Sequence, residues 1–304
     1  MSLKILITGS QGMLGKSLTK KMEYKYYSPS KSQLNLKNYK KIKKYIELNK
    51  INFVINCAAK VGGIQDNINN QIEYLIENIE INKNIIMAAY HSGVKKFINI
   101  GSSCIYPKDS KGKLKEENIF KGNLEPTNEG YALSKIFAVK LCEFISSKKK
   151  FFYKSLIPCN LYGPNDKYDV KKSHLVPSII HKLNKAKMEK KKYVDIWGNG
   201  KSKREFMYIE DMAEAIIFSI NNLKKLPSTL NVGTGMDYTV KEYYDIASKI
   251  IYPEVKFYHN LSKPSGMKRK VLNVNKINKL GWKSKYKLKL GIKKTFLEYL
   301  KNEN

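Results

Sequence analysis

Two rhythms of apolar positions alternate along this chain from its start to about residue 163. Short runs that are apolar at nearly every position, Leu3 to Thr8, Phe53 to Cys57, Lys96 to Gly101 and Phe151 to Ile157, have the length and branched side chains of strands buried on both faces. Between them, through about Met22 and at about 37–49, 71–92 and 131–147, apolar residues recur three and four apart, the spacing of one helix face. A further short strand is predicted at 24–28. Strands alternating with helices imply an α/β fold with a doubly wound parallel sheet, whose ligands lie beyond the carboxyl ends of the strands. After Gly163 the alternation fades into a stretch rich in Lys, Asn and Pro over 164–204, with a helix near 174–187. The pattern therefore predicts a doubly wound domain over 1–163 and a smaller α+β lobe over 164–304. It leaves room for part of about 205–235 to return to the first domain.

The first strand runs into Gly9-Ser10-Gln11-Gly12-Met13-Leu14-Gly15, which opens the first helix. Glycines at this turn let the backbone approach a pyrophosphate, whose charge sits at the helix N-terminus. This marks the fold as Rossmann-type and makes Gly9, Gln11, Gly12, Met13 and Gly15 candidates for binding a dinucleotide. An acid after the second strand would hold a ribose diol, and a base there would hold a 2′-phosphate. Ser28-Pro29-Ser30-Lys31-Ser32 has no acid and one lysine, so Lys31 predicts NADPH/NADP as cofactor. Further on, Tyr131 and Lys135 lie four apart, on one face of a helix. A nearby ammonium favours the phenolate over its ordinary pKa of about 10. With Ser102 following a central strand, the three form a proton relay beside the dinucleotide, the equipment of an oxidoreductase.

The chain has 304 residues and a formal net charge of +31. Of its 57 basic residues only Arg204 and Arg269 are arginine, so 55 are lysine. Asn, Ile and Tyr are abundant too, and runs such as Lys148-Lys149-Lys150 and Lys190-Lys191-Lys192 read as solvated faces of a chain drifting toward these residues. No groove of aromatics interleaved with bases accompanies the charge, so no nucleic acid partner is expected. A chain that writes lysine by default and keeps two arginines needs guanidinium geometry there, for which planar recognition of phosphate is one use. The four cysteines lie far apart without metal-ligand spacing, so no metal is expected. Cys57, Cys142 and Cys159 read as core thiols of a reducing compartment. No run is long and apolar enough for a membrane span, and nothing near the N-terminus reads as a signal peptide, so a cytoplasmic location is expected.

Taken in order, these segments resemble the extended short-chain dehydrogenase/reductases, and within them the GDP-L-fucose synthase family, also described as GDP-4-keto-6-deoxy-mannose 3,5-epimerase/4-reductase. The resemblance runs from residue 1 to about 300. It is carried by Gly101-Ser102-Ser103-Cys104-Ile105-Tyr106-Pro107, Leu124-Glu125-Pro126-Thr127-Asn128-Glu129, Pro158-Cys159-Asn160-Leu161-Tyr162-Gly163-Pro164, Ser173-His174, Trp197-Gly198, Arg204-Glu205-Phe206, Asn231-Val232-Gly233-Thr234-Gly235 and Lys263-Pro264 through Arg269-Lys270. The resemblance implies that Ser102, Tyr131 and Lys135 reduce C4 of a GDP-4-keto-6-deoxy sugar with NADPH. Cys104 and His174 would exchange protons at C3 and C5. Lys182, Trp197, Arg204 and Lys270 would bind the GDP-sugar, and Lys135, Pro158, Asn160, Leu161 and His174 would contact the cofactor. It also implies a homodimer through a helix bundle, to which the helix at 71–92 brings Leu75, Ile79, Ile86 and Met87. Gln11, Lys31 and Lys182 stand where the family often has arginine.

Three other functions compete. A C4-reductase without epimerisation, acting on a related substrate such as a GDP-4-keto-6-deoxy-heptose, could keep the same residues. A sugar-nucleotide dehydratase needs an acid just after the Ser of the relay, where this chain has Cys104-Ile105. A nucleic-acid-binding protein on a borrowed fold would need the aromatic-basic groove that is missing.

Overall fold

The computed structural model describes residues 2–168, 173–262 and 267–303. The strands are β1 (Ile5–Thr8), β2 (Tyr26–Tyr27), β3 (Phe53–Asn56), β4 (Lys96–Ile100), β5 (Phe152–Pro158), β6 (Asn160–Tyr162), β7 (Tyr193–Trp197), β8 (Lys203–Arg204), β9 (Phe206–Tyr208), β10 (Thr229–Val232), β11 (Tyr238–Thr239), β12 (Lys256–Asn260) and β13 (Arg269–Lys270). The helices are α1 (Met13–Lys21), α2 (Tyr39–Leu48), α3 (Ile64–Asn69), α4 (Gln71–His91), α5 (Glu129–Ser146), α6 (Leu175–Met188), α7 (Ile209–Asn221), α8 (Val240–Ile251), α9 (Asn275–Lys279) and α10 (Leu288–Glu303).

Six parallel strands form the central sheet in the order β2-β1-β3-β4-β5-β10. The chain reverses its direction of travel between β1 and β3, and the crevice opens there, at the carboxyl ends. β1 shows why its run was wholly apolar. Ile5 and Ile7 pack on one face with Leu18 of α1 and Met212 of α7, while Leu6 packs on the other with Ile42 of α2 and Ile85 of α4. Each is fully buried, and each such side chain contributes roughly 1.5–3 kcal/mol. A second core gathers α6, α8 and α10 against β7 and β9. Between these two bodies, α7 packs on α1 and β10 closes the edge of the central sheet beside β5.

A buried polar chain holds the crevice in shape. Thr8 Oγ1 donates to Asn56 Oδ1 at 2.7 Å, and Asn56 Nδ2 donates to Asn82 Oδ1 of α4 at 2.9 Å, so the ends of β1 and β3 are tied to one helix. At the glycine loop the backbone is crowded. Gly9 has φ +69°, and a Cβ there would lie 2.7 Å from the Ala58 backbone. A Cβ on Gly15 would run into the Gly9 carbonyl oxygen. α1 starts at Gly12 with no side chain capping it, which leaves its first N–H groups facing the crevice.

Three local expectations change. The second strand shrinks to two residues, because it is the sheet edge and Tyr26 is exposed. Ile86 of α4 is fully buried against the sheet and cannot face a partner. Part of the segment Lys263-Pro264 through Arg269-Lys270 lies outside the described residues. Among the described residues no helix is long and apolar enough to cross a membrane.

The crowding predicts the behaviour of Gly15→Ala. The loop backbone must shift to admit the methyl group, so dinucleotide affinity should fall by at least tenfold and the thermal midpoint should fall by several degrees. Fluorescence titration of the variant with NADPH checks this, and unchanged affinity would show the loop to be compliant.

Candidate active site

β4 ends at Ile100, and the chain turns through Gly101 to Ser102. Ser102 caps a single helical turn, Ser103–Ile105, its Oγ accepting from the Cys104 backbone N–H at 3.3 Å. α5 begins at Glu129, which places Tyr131 in its first turn and Lys135 one turn further in. Lys135 is 3% exposed, and its Nζ donates to the Ile100 carbonyl at 2.8 Å. Burial lowers its pKa to about 8, against the opposing pull of Cys104 and Cys57. Its Nζ lies 5.7 Å from the Tyr131 ring centre.

The phenol does not behave as its spacing to Lys135 predicted. Burial pushes Tyr131 well above the usual tyrosine value, Cys104 and Tyr74 add to the push, and a hydrogen bond with Ser102 works against it. Desolvation is the largest effect, and the Lys135 ammonium bonds the Ile100 carbonyl. Tyr131 is therefore a protonated acid at neutral pH. Its ring meets the edge of Tyr74 at 6.1 Å, and Tyr74 is anchored through its hydroxyl to Asp66 Oδ2 at 2.6 Å.

Two cavities meet at this point. The larger, about 680 Å³, runs along the carboxyl ends of the strands. Its wall includes Gly9, Gln11, Gly12, Met13 and Gly15, then Lys31 at the outer end, and Ser102, Tyr131, Lys135, Pro158, Asn160, Leu161 and His174 at the inner end. With a loop whose backbone packs too closely at Gly9 and Gly15 for any side chain, and an uncapped helix start, these residues fit an extended dinucleotide. Cys57 also lines this cavity and is half-buried, not a core thiol, because β3 has ended one residue before it. The smaller cavity, about 260 Å³, is walled by Cys104, His174, Lys182, Trp197, Arg204 and Lys270, with Glu125, Thr127 and Asn128 opposite. Gly62, Asn67, Asn160 and His174 belong to both walls.

The charged groups of the smaller cavity are organised. Lys182 Nζ pairs with Asp195 Oδ1 at 2.8 Å and sits 5.1 Å from the Trp197 ring centre. Arg204 and Lys270 face each other in register across β8 and β13. Burial lowers the Lys270 pKa, with Cys104 opposing and the Arg204 guanidinium adding to the effect. Burial raises the Cys104 thiol, although Lys270, Ser102 and Lys135 oppose it. His174 is pushed down to about 4 by burial, then by Lys270 and Lys167. Both candidate proton exchangers are thus neutral at pH 7, not poised near their ordinary values. Of the two retained arginines, Arg204 lines this cavity. Arg269 is more exposed and makes a two-pronged bond to Asp237, Nε–Oδ2 2.6 Å and Nη2–Oδ1 3.2 Å, so its fork serves a carboxylate.

Sequence reasoning missed Asp195, Tyr74, Asn67 and Lys60. Lys60 lines the dinucleotide cavity and pairs with Glu77 at 2.6 Å. Their partners are distant in sequence or are residue types too common here to stand out. Glu125 was readable only as part of a quoted segment.

The family model described as NAD dependent epimerase/dehydratase family matches residues 5–233. A GDP-L-colitose synthase of Yersinia pseudotuberculosis is 45% identical, with 99% of each chain covered. A GDP-L-fucose synthase of Azorhizobium caulinodans is 39% identical over 98% of this chain and 96% of its own. The solved structure of MlghC, a GDP-mannoheptose C4 reductase from Campylobacter jejuni with NADP bound, superposes with a TM-score of 0.89 at 30% identity, covering 98% of each chain.

The burial of His174 has a direct readout. The chain has four histidines, so their ring proton signals can be followed one by one. One signal should stay unprotonated from pH 8 down to 5 and vanish in His174→Gln. The sign for stability follows: between pH 6.5 and about 4 the unfolded chain takes up a proton that folded His174 refuses, so this group destabilises the fold as pH falls through that window. A His174 midpoint near 6.5 would contradict the burial.

Proposed function

The chain belongs to the NAD dependent epimerase/dehydratase family, in its GDP-L-fucose synthase branch, and we propose that it reduces C4 of a GDP-4-keto-6-deoxy sugar with NADPH after epimerising C3 and C5. The observation that carries this reading is the shared wall. A sugar ring in the smaller cavity is separated from the dinucleotide cavity only by residues such as Asn160 and His174, with Tyr131 on one side and Cys104 on the other.

NADPH supplies a hydride to C4 when bound. Tyr131, kept protonated by burial, gives its proton to the C4 oxygen. Ser102, whose hydroxyl acts on the Tyr131 phenol to favour its ionised form, orients that transfer. The Lys135 ammonium, one turn along α5, stabilises the phenolate left behind and reaches the nicotinamide ribose. The 4-keto group acidifies the protons at C3 and C5. A neutral imidazole can accept one of these, and a neutral thiol can return one on the opposite face, which assigns His174 and Cys104 as the exchanging pair. Lys182, Trp197, Arg204 and Lys270 hold the GDP portion, the guanidinium engaging the diphosphate. Lys31, exposed at the outer end of the dinucleotide cavity, takes the 2′-phosphate. The four free cysteines are consistent with a cytoplasmic enzyme.

A second reading, C4 reduction alone on a GDP-4-keto-6-deoxy-heptose, draws support from the likeness to a GDP-mannoheptose C4 reductase at 30% identity. One assay separates the two. The protein is given NADPH in deuterated water with GDP-4-keto-6-deoxy-mannose, its 3-deoxy counterpart and the corresponding heptose. Epimerisation leaves deuterium at C5, and at C3 where that carbon carries a hydroxyl; this label should disappear in Cys104→Ala. Reduction with no deuterium on ring carbons moves the assignment to the second reading. In the same assay Tyr131→Phe should lower reduction by about 10²–10⁴ while NADPH affinity persists. Near-normal turnover in that variant removes Tyr131 from the role.

Lys31→Asp should shift preference from NADPH toward NADH, because a carboxylate there repels the 2′-phosphate. A wild-type enzyme that already prefers NADH would refute the placement.

The quaternary reading is a homodimer through α4 and α5. The two helices pack together and leave Ile72 (74% exposed), Ile76 (57%), Leu133 (42%) and Phe144 (67%) outward, enough apolar surface for a four-helix bundle with a second copy. Light scattering at micromolar concentration should give twice the chain mass, and Ile76→Asp with Phe144→Asp should give monomers. A monomeric wild type would sink the dimer.

A further inference from the structure

Arg204 and Lys270 stand opposite each other in a pair of strands only two residues long. Like charges directly opposite are destabilising, and although the Glu125 carboxylate favours both cations, a bond between the two strands is still needed to keep them in register. The residue between Arg204 and Phe206 has the means. Glu205 is 1% exposed. Its Oε1 accepts from the backbone N–H of Thr234 at 2.6 Å and of Gly235 at 2.7 Å, and from Thr234 Oγ1 at 3.2 Å. Its Oε2 accepts from the backbone N–H of Leu272 at 2.7 Å, two residues beyond Lys270. The Glu205 backbone N–H in turn donates to the Lys270 carbonyl at 3.1 Å. Among the described residues no basic side chain pairs with this carboxylate. Its bonds go to the backbone of two segments and to the Thr234 hydroxyl.

We infer that Glu205 is a positioning residue for nucleotide-sugar binding: it clamps the strand of Lys270 to that of Arg204, so that both cations are already side by side when a diphosphate arrives. This rests on reading the smaller cavity as the GDP-sugar site. The repulsion between the two cations is then met by the fold, and the ligand finds a site that needs no further ordering. Glutamine cannot replace the clamp. It offers one acceptor oxygen, and its NH₂ would face an N–H.

Calorimetric titration with GDP tests the inference, with NADPH titration as control. Glu205→Gln should weaken GDP binding by about tenfold or more and leave NADPH affinity unchanged. In turnover, KM for the sugar nucleotide should rise while kcat holds. A merely structural role would instead lower the folded fraction and leave KM alone. Because Glu205 acts through Lys270, adding Glu205→Gln to Lys270→Ala should weaken GDP by less than about twofold further. If Glu205→Gln does not fold, Glu205→Asp keeps the charge but shortens the reach, and the same KM-only change is expected of it. Wild-type GDP affinity in the folded variants, or fully additive losses in the double variant, overturns the inference alone. A wild-type protein that binds NADPH but not GDP overturns the reading of the cavity, and the inference with it.

Discussion

A buried ammonium bonded to a strand-end carbonyl sets the geometry on which the site depends. Lys135, 3% exposed, can be tolerated in the interior only because its Nζ donates to the Ile100 carbonyl at 2.8 Å. That bond fixes the register of α5 against β4. It therefore fixes Tyr131, one turn earlier, relative to Ser102, two residues beyond Ile100. The same device recurs. Glu205 accepts three backbone N–H groups, and the fully buried Asp211 accepts from those of Lys285 at 2.9 Å and Tyr286 at 3.1 Å. Each of these charges is satisfied by main chain rather than by an opposite charge. Each ties together segments that are distant in sequence, where an exposed ion pair contributes little.

The burial that positions these groups also sets their protonation. It raises Tyr131 and Cys104 and lowers His174, so all three are neutral at pH 7. A site that handles protons with neutral acids and bases needs a strongly polarised substrate, and a carbonyl adjacent to the reacting carbons supplies that polarisation. Of the cations that line the smaller cavity, Lys182, Arg204 and Lys270, Lys270 lies close enough to this chemistry to favour the Cys104 thiolate and the neutral His174 imidazole.

Features set by local sequence were the legible ones. β1 could be read because three successive residues are buried on alternate faces, and the glycine loop because Gly9, Gly12 and Gly15 follow a strand and open a helix. The relation of Tyr131 to Lys135 was legible as a helix spacing. The direction of the Tyr131 pKa was not, since it turns on the burial of the phenol, which is set by segments packed around it from across the fold. β2 was overread because an edge strand of two residues carries little pattern. Rarity flagged Arg204 usefully, yet the same reasoning flagged Arg269, whose fork engages Asp237. Rarity reports a need for guanidinium geometry without naming what it meets. Asp195 and Glu205 were invisible as functional positions, because their roles lie in contacts made across the fold.

The wall shared by the two cavities has a consequence for inhibitor chemistry. Among the described residues Gly62, Asn67, Asn160 and His174 line both cavities, so ligands on the two sides would be close neighbours. A compound carrying one fragment for the glycine cradle and another for the Arg204 end would make its second contact intramolecularly. With a linker matched to the gap, the effective concentration reaches the millimolar range, and the combined affinity can exceed either half by about 10²–10⁴. Its selectivity over other dinucleotide enzymes would come from the smaller cavity, because the glycine cradle is a general device for dinucleotides while Arg204 and Lys270 line a separate pocket.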